Sequence, residues 1–221
     1  MGVGPIAFTL YTDLAKRKLL KPGQFIFELG SQQVFDAGWR DSLMQFCAAM
    51  GKPKASHDKT WKSARDLMEA VGFHYTSADI DGRFGALMID LNKPWRSPHG
   101  YDVVTNHGTT EHCFDQAECF RTIHYAARPN GLMIHCVPMQ GYAHHGFYLY
   151  QPEMFAELAR ANRYEMISLH AACDVYKDPT LPIQFAGPNA KLPGHVMLCA
   201  VMRRTDDADF VPPIQRMYQQ P

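Results

Sequence analysis

Apolar positions along the chain fall into two periods, one of strands and one of helices. Phe25, Ile26, Phe27 and Leu29 make a short apolar run, Gln24–Leu29, that ends on Gly30. The next segment, Asp41–Met50, puts Leu43, Met44, Phe46, Cys47 and Met50 on one side of a helix. Thr60–Val71 repeats the helical spacing with Trp61, Ala64, Leu67, Met68 and Val71, and Gly72 fits the stop just past its end. Short strand-like runs follow at Phe73–Ala78, Ala86–Ile89 and Tyr101–Thr105. Asp115–Arg128 reads as a helix closed by Pro129, Asn130 and Gly131, and Leu132–Val137 as a strand stopped by Pro138. Gln151–Asn162 is helical, and Arg163–Leu169 and His195–Met202 are the last strands. At the start, Ile6, Phe8, Leu10, Tyr11 and Leu14 mark an entry helix lying on the core. Strands alternating with helices predict a doubly wound α/β sheet.

Composition narrows the reading. The chain has 221 residues, of which 46% are apolar, enough for one large domain with a full core. Lys plus Arg and Asp plus Glu are both 22, so charge gives no case for nucleic acid or an acidic membrane as partner. No apolar run approaches the ~20 residues of a membrane span. The first residues lack the basic start, apolar centre and cleavage site of a signal peptide. The 6 cysteines form no CxxC pair, and Cys136 and Cys199 lie inside apolar runs, which suits a reducing cytoplasm. The tail after Asp206, with Pro212, Pro213 and Pro221, reads as a surface strap.

In an open α/β sheet, ligands bind outside the carboxyl ends of the strands. The exits here are Glu28-Leu29-Gly30, Asp79-Ile80-Asp81-Gly82, Asp90-Leu91-Asn92 and Asn106-His107-Gly108. Three of them carry carboxylates. A carboxylate accepts hydrogen bonds from the hydroxyls of a ribose, which suits Asp79 or Asp81, and from an adenine amino group, which suits Asp90. A dinucleotide binder also needs a GxGxxG loop for its pyrophosphate. After Gly30 the sequence has Ser31, Gln32, Gln33 and Val34 instead, whose side chains obstruct a phosphate cradle. Acids without that loop fit an adenosine that carries no phosphates.

On these residues the chain resembles the class I S-adenosylmethionine-dependent methyltransferases over roughly residues 24–202. The ELG of FIFELGSQ is similar to their first motif, Asp79 in YTSADIDG to the ribose acid, and ALMIDLN to the adenine-contact segment, with Asp90 and Leu91. YDVVTNHGTTEH matches the fourth strand and its exit, and ARPNGLMIHCVP the fifth. GTTEHCFDQ and HHGFYLYQPEMFAELARANRYE look similar to a bacterial subgroup that modifies sugars or secondary metabolites. The resemblance implies a mostly parallel seven-stranded sheet with helices on both faces, in one domain spanning 1–221. It implies S-adenosyl-L-methionine as cofactor, held by Glu28, Gly30, Ser31, Gln32, Asp79, Asp81, Asp90, Leu91, Asn106 and His107. Two departures stand out. The first motif lacks its later glycines. Glu28 and Asp79 are also farther apart than the ~20 residues of such a unit. The surplus falls at about 41–72, read as a helical insertion that is either a cover over the site or a solvated excursion.

Methyl transfer to a hydroxyl needs a base, and histidine is the commonest. Of 11 histidines, His107 and His112 flank GTTE at the fourth exit, and His144 and His145 lie in the loop GYAHHGFYLY after the fifth strand. His112 or His145 is the expected base or acceptor binder, with Glu111 as orienting partner. His144, Tyr148 and Tyr176 are expected to bind the acceptor, with Tyr142, Phe147 and Tyr150 as further wall, and His124 and His135 to be packing residues. Lys177–Leu192 is the expected second cover. His144 and His145 with His107 and Glu111 would make a plausible set of metal ligands by residue type. Without an HxH or HExxH pattern, and with adjacent histidines pointing opposite ways on an extended chain, no metal is expected. The expected partner is a small-molecule methyl acceptor, with no nucleic acid or membrane and with a homodimer kept open. Other readings are non-methyl chemistry with the same cofactor, such as intramolecular cyclisation, a nicotinamide-dependent oxidoreductase, which the missing GxGxxG opposes, and a non-catalytic cofactor-binding protein.

Overall fold

A computed structural model describes residues 2–34, 40–56, 61–173, 180–181 and 194–218. The strands are β1 (Gly2–Val3), β2 (Phe25–Leu29), β3 (Gln33–Val34), β4 (His74–Asp79), β5 (Leu87–Met88), β6 (Tyr101–His107), β7 (Ala127–Gln140), β8 (Glu165–Ala172), β9 (Thr180–Leu181) and β10 (Val196–Arg203). The helices are α1 (Pro5–Lys16), α2 (Arg40–Ala49), α3 (Ala64–Ala70), α4 (Gln116–Ala126) and α5 (Pro152–Ala161). The central sheet runs β5-β4-β2-β6-β7-β10-β8-β9. Its first five strands are mutually parallel, and β10 lies antiparallel between β7 and β8. The predicted seven strands are all there, and the two-residue β9 adds an edge beside β8. The separate pair β1 and β3 is parallel, with Gly2 opposite Gln33.

Period-2 alternation divides the strands between two cores. Ile26, Val103, Leu132, Ile134, Cys199 and Val201 face one side, where Phe8, Tyr11 and Leu14 of α1, Phe46 of α2 and Leu67 of α3 pack on them. Phe27, Leu29, Val104, Met133, Leu198 and Ala200 face the other, against Phe120 and Ile123 of α4 and Phe155 and Leu158 of α5. Helix starts are chemically marked. Ser63 and Asp115 accept the backbone N–H groups of Asp66 and Glu118, and Pro5 and Pro152 open α1 and α5.

The segment expected as an insertion at about 41–72 holds α2 and α3. Leu43, Phe46, Cys47 and Met50 are buried, and Phe46 lies against Phe8 and Tyr11 at centroid separations of 6.1 and 5.4 Å. Burying such a side chain stabilises by about 1.5–3 kcal/mol, so this part of the segment is a packed layer, not a solvated excursion. The fifth parallel strand is longer than the sequence indicates at both ends: it starts at Ala127, so Ala127 and Arg128 are not helical, and Pro129, Asn130 and Gly131, expected to close the helix, lie inside the strand. It passes through Pro138, which pairs with Met197 where the register shifts, a place where a missing N–H is tolerated. The tail follows α5: Asn162 accepts the N–H of Val211 and donates to its carbonyl, at 2.7 and 2.9 Å, and Glu157 accepts the N–H of Arg216. No described helix is long and apolar enough to cross a membrane.

Candidate active site

The parallel strands deliver their exits to one edge. Leu29 is paired with Ala78 on one side and Asn106 on the other, and His107 with Cys136, so the four turns lie in a row. The turns after β2 and β6 are joined at Thr109. Its Oγ1 donates to the Leu29 carbonyl at 2.7 Å and accepts from Gln32 Nε2 at 3.1 Å. Gly30 sits at φ +85°, and a Cβ there would lie 2.4 Å from Thr109 Oγ1, so only glycine fits the crossing. Gln32 is buried, and β3 then leads the chain away to pair with β1. This strand follows the Gly30 turn directly, at Gln33–Val34.

Asp79 and Asp81 have different surroundings. Asp79 accepts the N–H of Ser31 through Oδ2 and that of Ile80 through Oδ1, both at 2.7 Å, and remains half-buried with lone pairs to spare. Asp81 is engaged by Arg83, through the backbone N–H at 2.9 Å and Nε at 2.8 Å. Ser31 Oγ donates to the Arg83 carbonyl, closing this loop. Asp90 accepts both N–H groups of Asn92 at 3.0 Å and faces Lys93 at 3.4 Å. The Asn92 hydrogen bonds, then the Lys93 ammonium, hold its carboxyl below the ordinary range. Leu91 is buried in the core of the α4 side. Around these acids Ile80, Phe84, Leu87 and Met88 are exposed, an apolar rim that composition could not reveal. Phe84 holds a left-handed backbone at φ 51°, which is costly for an aromatic residue.

Glu28 points down from the edge, not out of it. It is buried on the α1 side, where Tyr75 Oη and Thr105 Oγ1 donate to it. Burial pushes its carboxyl pKa up, while His107 and the two hydrogen bonds pull it down. His107 is buried beside it and hydrogen-bonded to Tyr11. Sequence reasoning missed Tyr11, Tyr75 and Thr109, because nothing local says that Tyr75 meets the Glu28 carboxylate or that Tyr11 of a distant helix reaches His107. Asn106 is buried too, donating to Thr110 Oγ1 at 2.9 Å and contacting His135.

Beyond β6, a 3-10 turn at Thr110–His112 carries Glu111 and His112. The loop after β7 returns over it. Phe147 N–H donates to the Glu111 carbonyl at 2.8 Å, and a Cβ on Gly146 would lie 3.0 Å from Glu111 Cγ. This docking brings together the three residues expected to act catalytically. His145 Nε2 is 3.4 Å and His112 Nε2 4.0 Å from Glu111 Oε1, with the rings 5.0 Å apart. Glu111 is wholly buried, and burial raises its carboxyl pKa to about 7. Burial, then the charge of His145, lowers the pKa of His112.

The remaining residues separate. His144 is exposed, at φ 65°. Tyr148 donates to the Phe114 carbonyl at 2.9 Å, and exposed Phe147 lies edge-on to Phe114. Tyr150 is a core residue bonded to Thr110 and Gln116. His124 and His135 are buried, with pKa values lowered by burial to about 4 and about 3. Tyr176 and nearly all of Lys177–Leu192 lie outside the described residues.

Strand order and exits together define the Rossmann-like fold of S-adenosylmethionine-dependent methyltransferases. No family model matches the chain, and no curated relative does. Solved structures match at the level of fold. Phosphoethanolamine N-methyltransferase 2 of Haemonchus contortus, solved with phosphomonomethylethanolamine and S-adenosylhomocysteine, is 12% identical, with a TM-score of 0.52 over 89% of this chain and 53% of that one. The chain thus spans about half of that enzyme. The same enzyme with S-adenosyl-L-methionine gives 0.52, at 12% identity over 89% of this chain and 52% of that one. The [4+2]-cyclase SpnF gives 0.51, at 12% identity over 90% of this chain and 81% of that one.

Proposed function

We propose that the protein transfers a methyl group from S-adenosyl-L-methionine to a hydroxyl of a small molecule, in the sugar or secondary-metabolite class. The observation that carries the reading is the row of exits, with Asp79 half-buried beside the Gly30 turn and, among the described residues, no phosphate cradle next to it. Asp79 would accept the ribose hydroxyls through its spare lone pairs. Asp90 would face the adenine amino group, with Ile80 and Met88 covering the base. Ser31, Gln32 and Asn106 stand around the same turns, and Glu28 and His107 would act from beneath, Glu28 through Tyr75 and Thr105 and His107 through Tyr11.

When bound, the cofactor supplies an electrophilic methyl group on a sulfonium. The chain must orient the acceptor in line with it and take away one proton. The acceptor oxygen forms the new bond to carbon, the carbon–sulfur pair stays on sulfur, and the proton leaves through the protein. His112 and His145 are the groups for that proton, and Glu111 orients them. His144, Tyr148 and Tyr176 would line the acceptor side.

A second reading, cyclisation with the same cofactor, is favoured by the likeness to a cyclase. Thermal unfolding tests the cofactor. Ligand at 100 times its Kd stabilises by about 2.7 kcal/mol. S-adenosylhomocysteine is therefore expected to raise Tm by roughly 5–10 °C, and NAD to leave it alone. The reverse pattern would return the oxidoreductase reading. Product mass then decides the reaction: a gain of one CH2 is methylation, and an unchanged mass is cyclisation.

A further inference from the structure

Glu111 raises a question that base chemistry leaves open. Its side chain is wholly buried, yet neither carboxylate oxygen has a hydrogen-bond partner among the described residues. An isolated buried carboxylate is costly, and such groups are paired or bind metals. What faces it is a pair of imidazoles. The ligand atoms of Glu111, His112 and His145 all lie within 4.8 Å of one another.

We infer that Glu111, His112 and His145 form a site for a divalent transition-metal ion of the zinc class. Two imidazole nitrogens and one carboxylate oxygen suit zinc or iron and disfavour magnesium, which prefers all-oxygen shells. Tetrahedral zinc, with bonds near 2.0–2.2 Å, sets its ligand atoms ~3.4 Å apart. His145 Nε2 already stands at 3.4 Å from Glu111 Oε1, and His112 Nε2 at 4.0 Å needs a small ring movement. The imidazoles are about one-third exposed while the carboxylate is enclosed, so the ion would keep an open position toward solvent. Gly146 is what allows the His145 loop to lie on Glu111, because any side chain there would meet the Glu111 backbone at 2.9 Å.

The inference rests on the methyltransferase reading for its purpose. The ion would occupy the Nε2 lone pairs that otherwise take the proton, and so replaces the imidazole base. An acceptor hydroxyl at the open position would become more acidic and release its proton to water.

Zinc chloride titrated into chelator-stripped, untagged full-length protein tests the site. One ion per chain is expected, with Glu111→Gln, His145→Ala and Gly146→Ala each weakening it at least tenfold. Gly146→Ala keeps all three ligands but moves the loop. His99→Ala, an exposed histidine elsewhere, is expected to bind zinc like the wild type. Magnesium is expected not to compete. No saturable zinc binding, or binding undiminished in folded Glu111→Gln and Gly146→Ala variants, overturns the site. S-adenosylhomocysteine titrated into the same samples keeps the two readings apart. Cofactor binding without zinc sinks only the metal site, and zinc without the cofactor sinks only the methyltransferase.

Discussion

Single residues here respond to burial more than to type. His135 keeps a neutral ring in the core, its pKa lowered by burial to about 3, while the unfolded chain binds a proton near pH 6.5. Between those values the unfolded state carries more protons, so stability falls as pH falls. The loss by pH 5 is about 2 kcal/mol relative to pH 7. Urea midpoints at the two pH values check this, and His135→Gln is expected to flatten the difference. Gly30→Ala meets both the positive φ and the Thr109 hydroxyl. It is expected to cost roughly 1–3 kcal/mol in denaturant titration and to weaken S-adenosylhomocysteine binding. The acids were legible at this scale, because strand exits announce themselves by pattern. Which acid stays available was not legible. Asp79 and Asp81 differ only through Ser31, Ile80 and Arg83, contacts made after folding. Glu111 was visible as a carboxylate beside histidines, but its missing hydrogen bonds depend on the docking of a distant loop.

Elements followed their hydrophobic periods closely. The two helices in 41–72 appear where the spacing puts them, although α3 begins at Ala64, later than Thr60, because Ser63 supplies the cap. What the pattern could not say is where such a helix packs. Phe46→Ala tests that placement. A core position loses about 3–5 kcal/mol, measurable by chemical denaturation, whereas a surface position would lose under ~1 kcal/mol. β7 exceeded its prediction for a related reason. Proline reads as a stop, but at the shifted register opposite Met197 its missing N–H removes no needed ladder bond. The missing glycines after Gly30 were legible, but the pairing of β3 was not, since the partner strand β1 lies at the start of the chain.

At the scale of the molecule, one sheet edge gathers acids, an apolar rim and a histidine–carboxylate cluster. The sheet was legible because alternation of strands and helices leaves few topologies. The acceptor was not, because a fold does not select a substrate. The central claim is that carboxylates at successive strand exits hold an adenosine without phosphates. Calorimetric titration of S-adenosylhomocysteine into the wild type and the Asp79→Ala/Asp81→Ala double variant tests it most directly. The account predicts saturable wild-type binding and at least a tenfold weaker Kd in the variant; equal affinity in both proteins would contradict it.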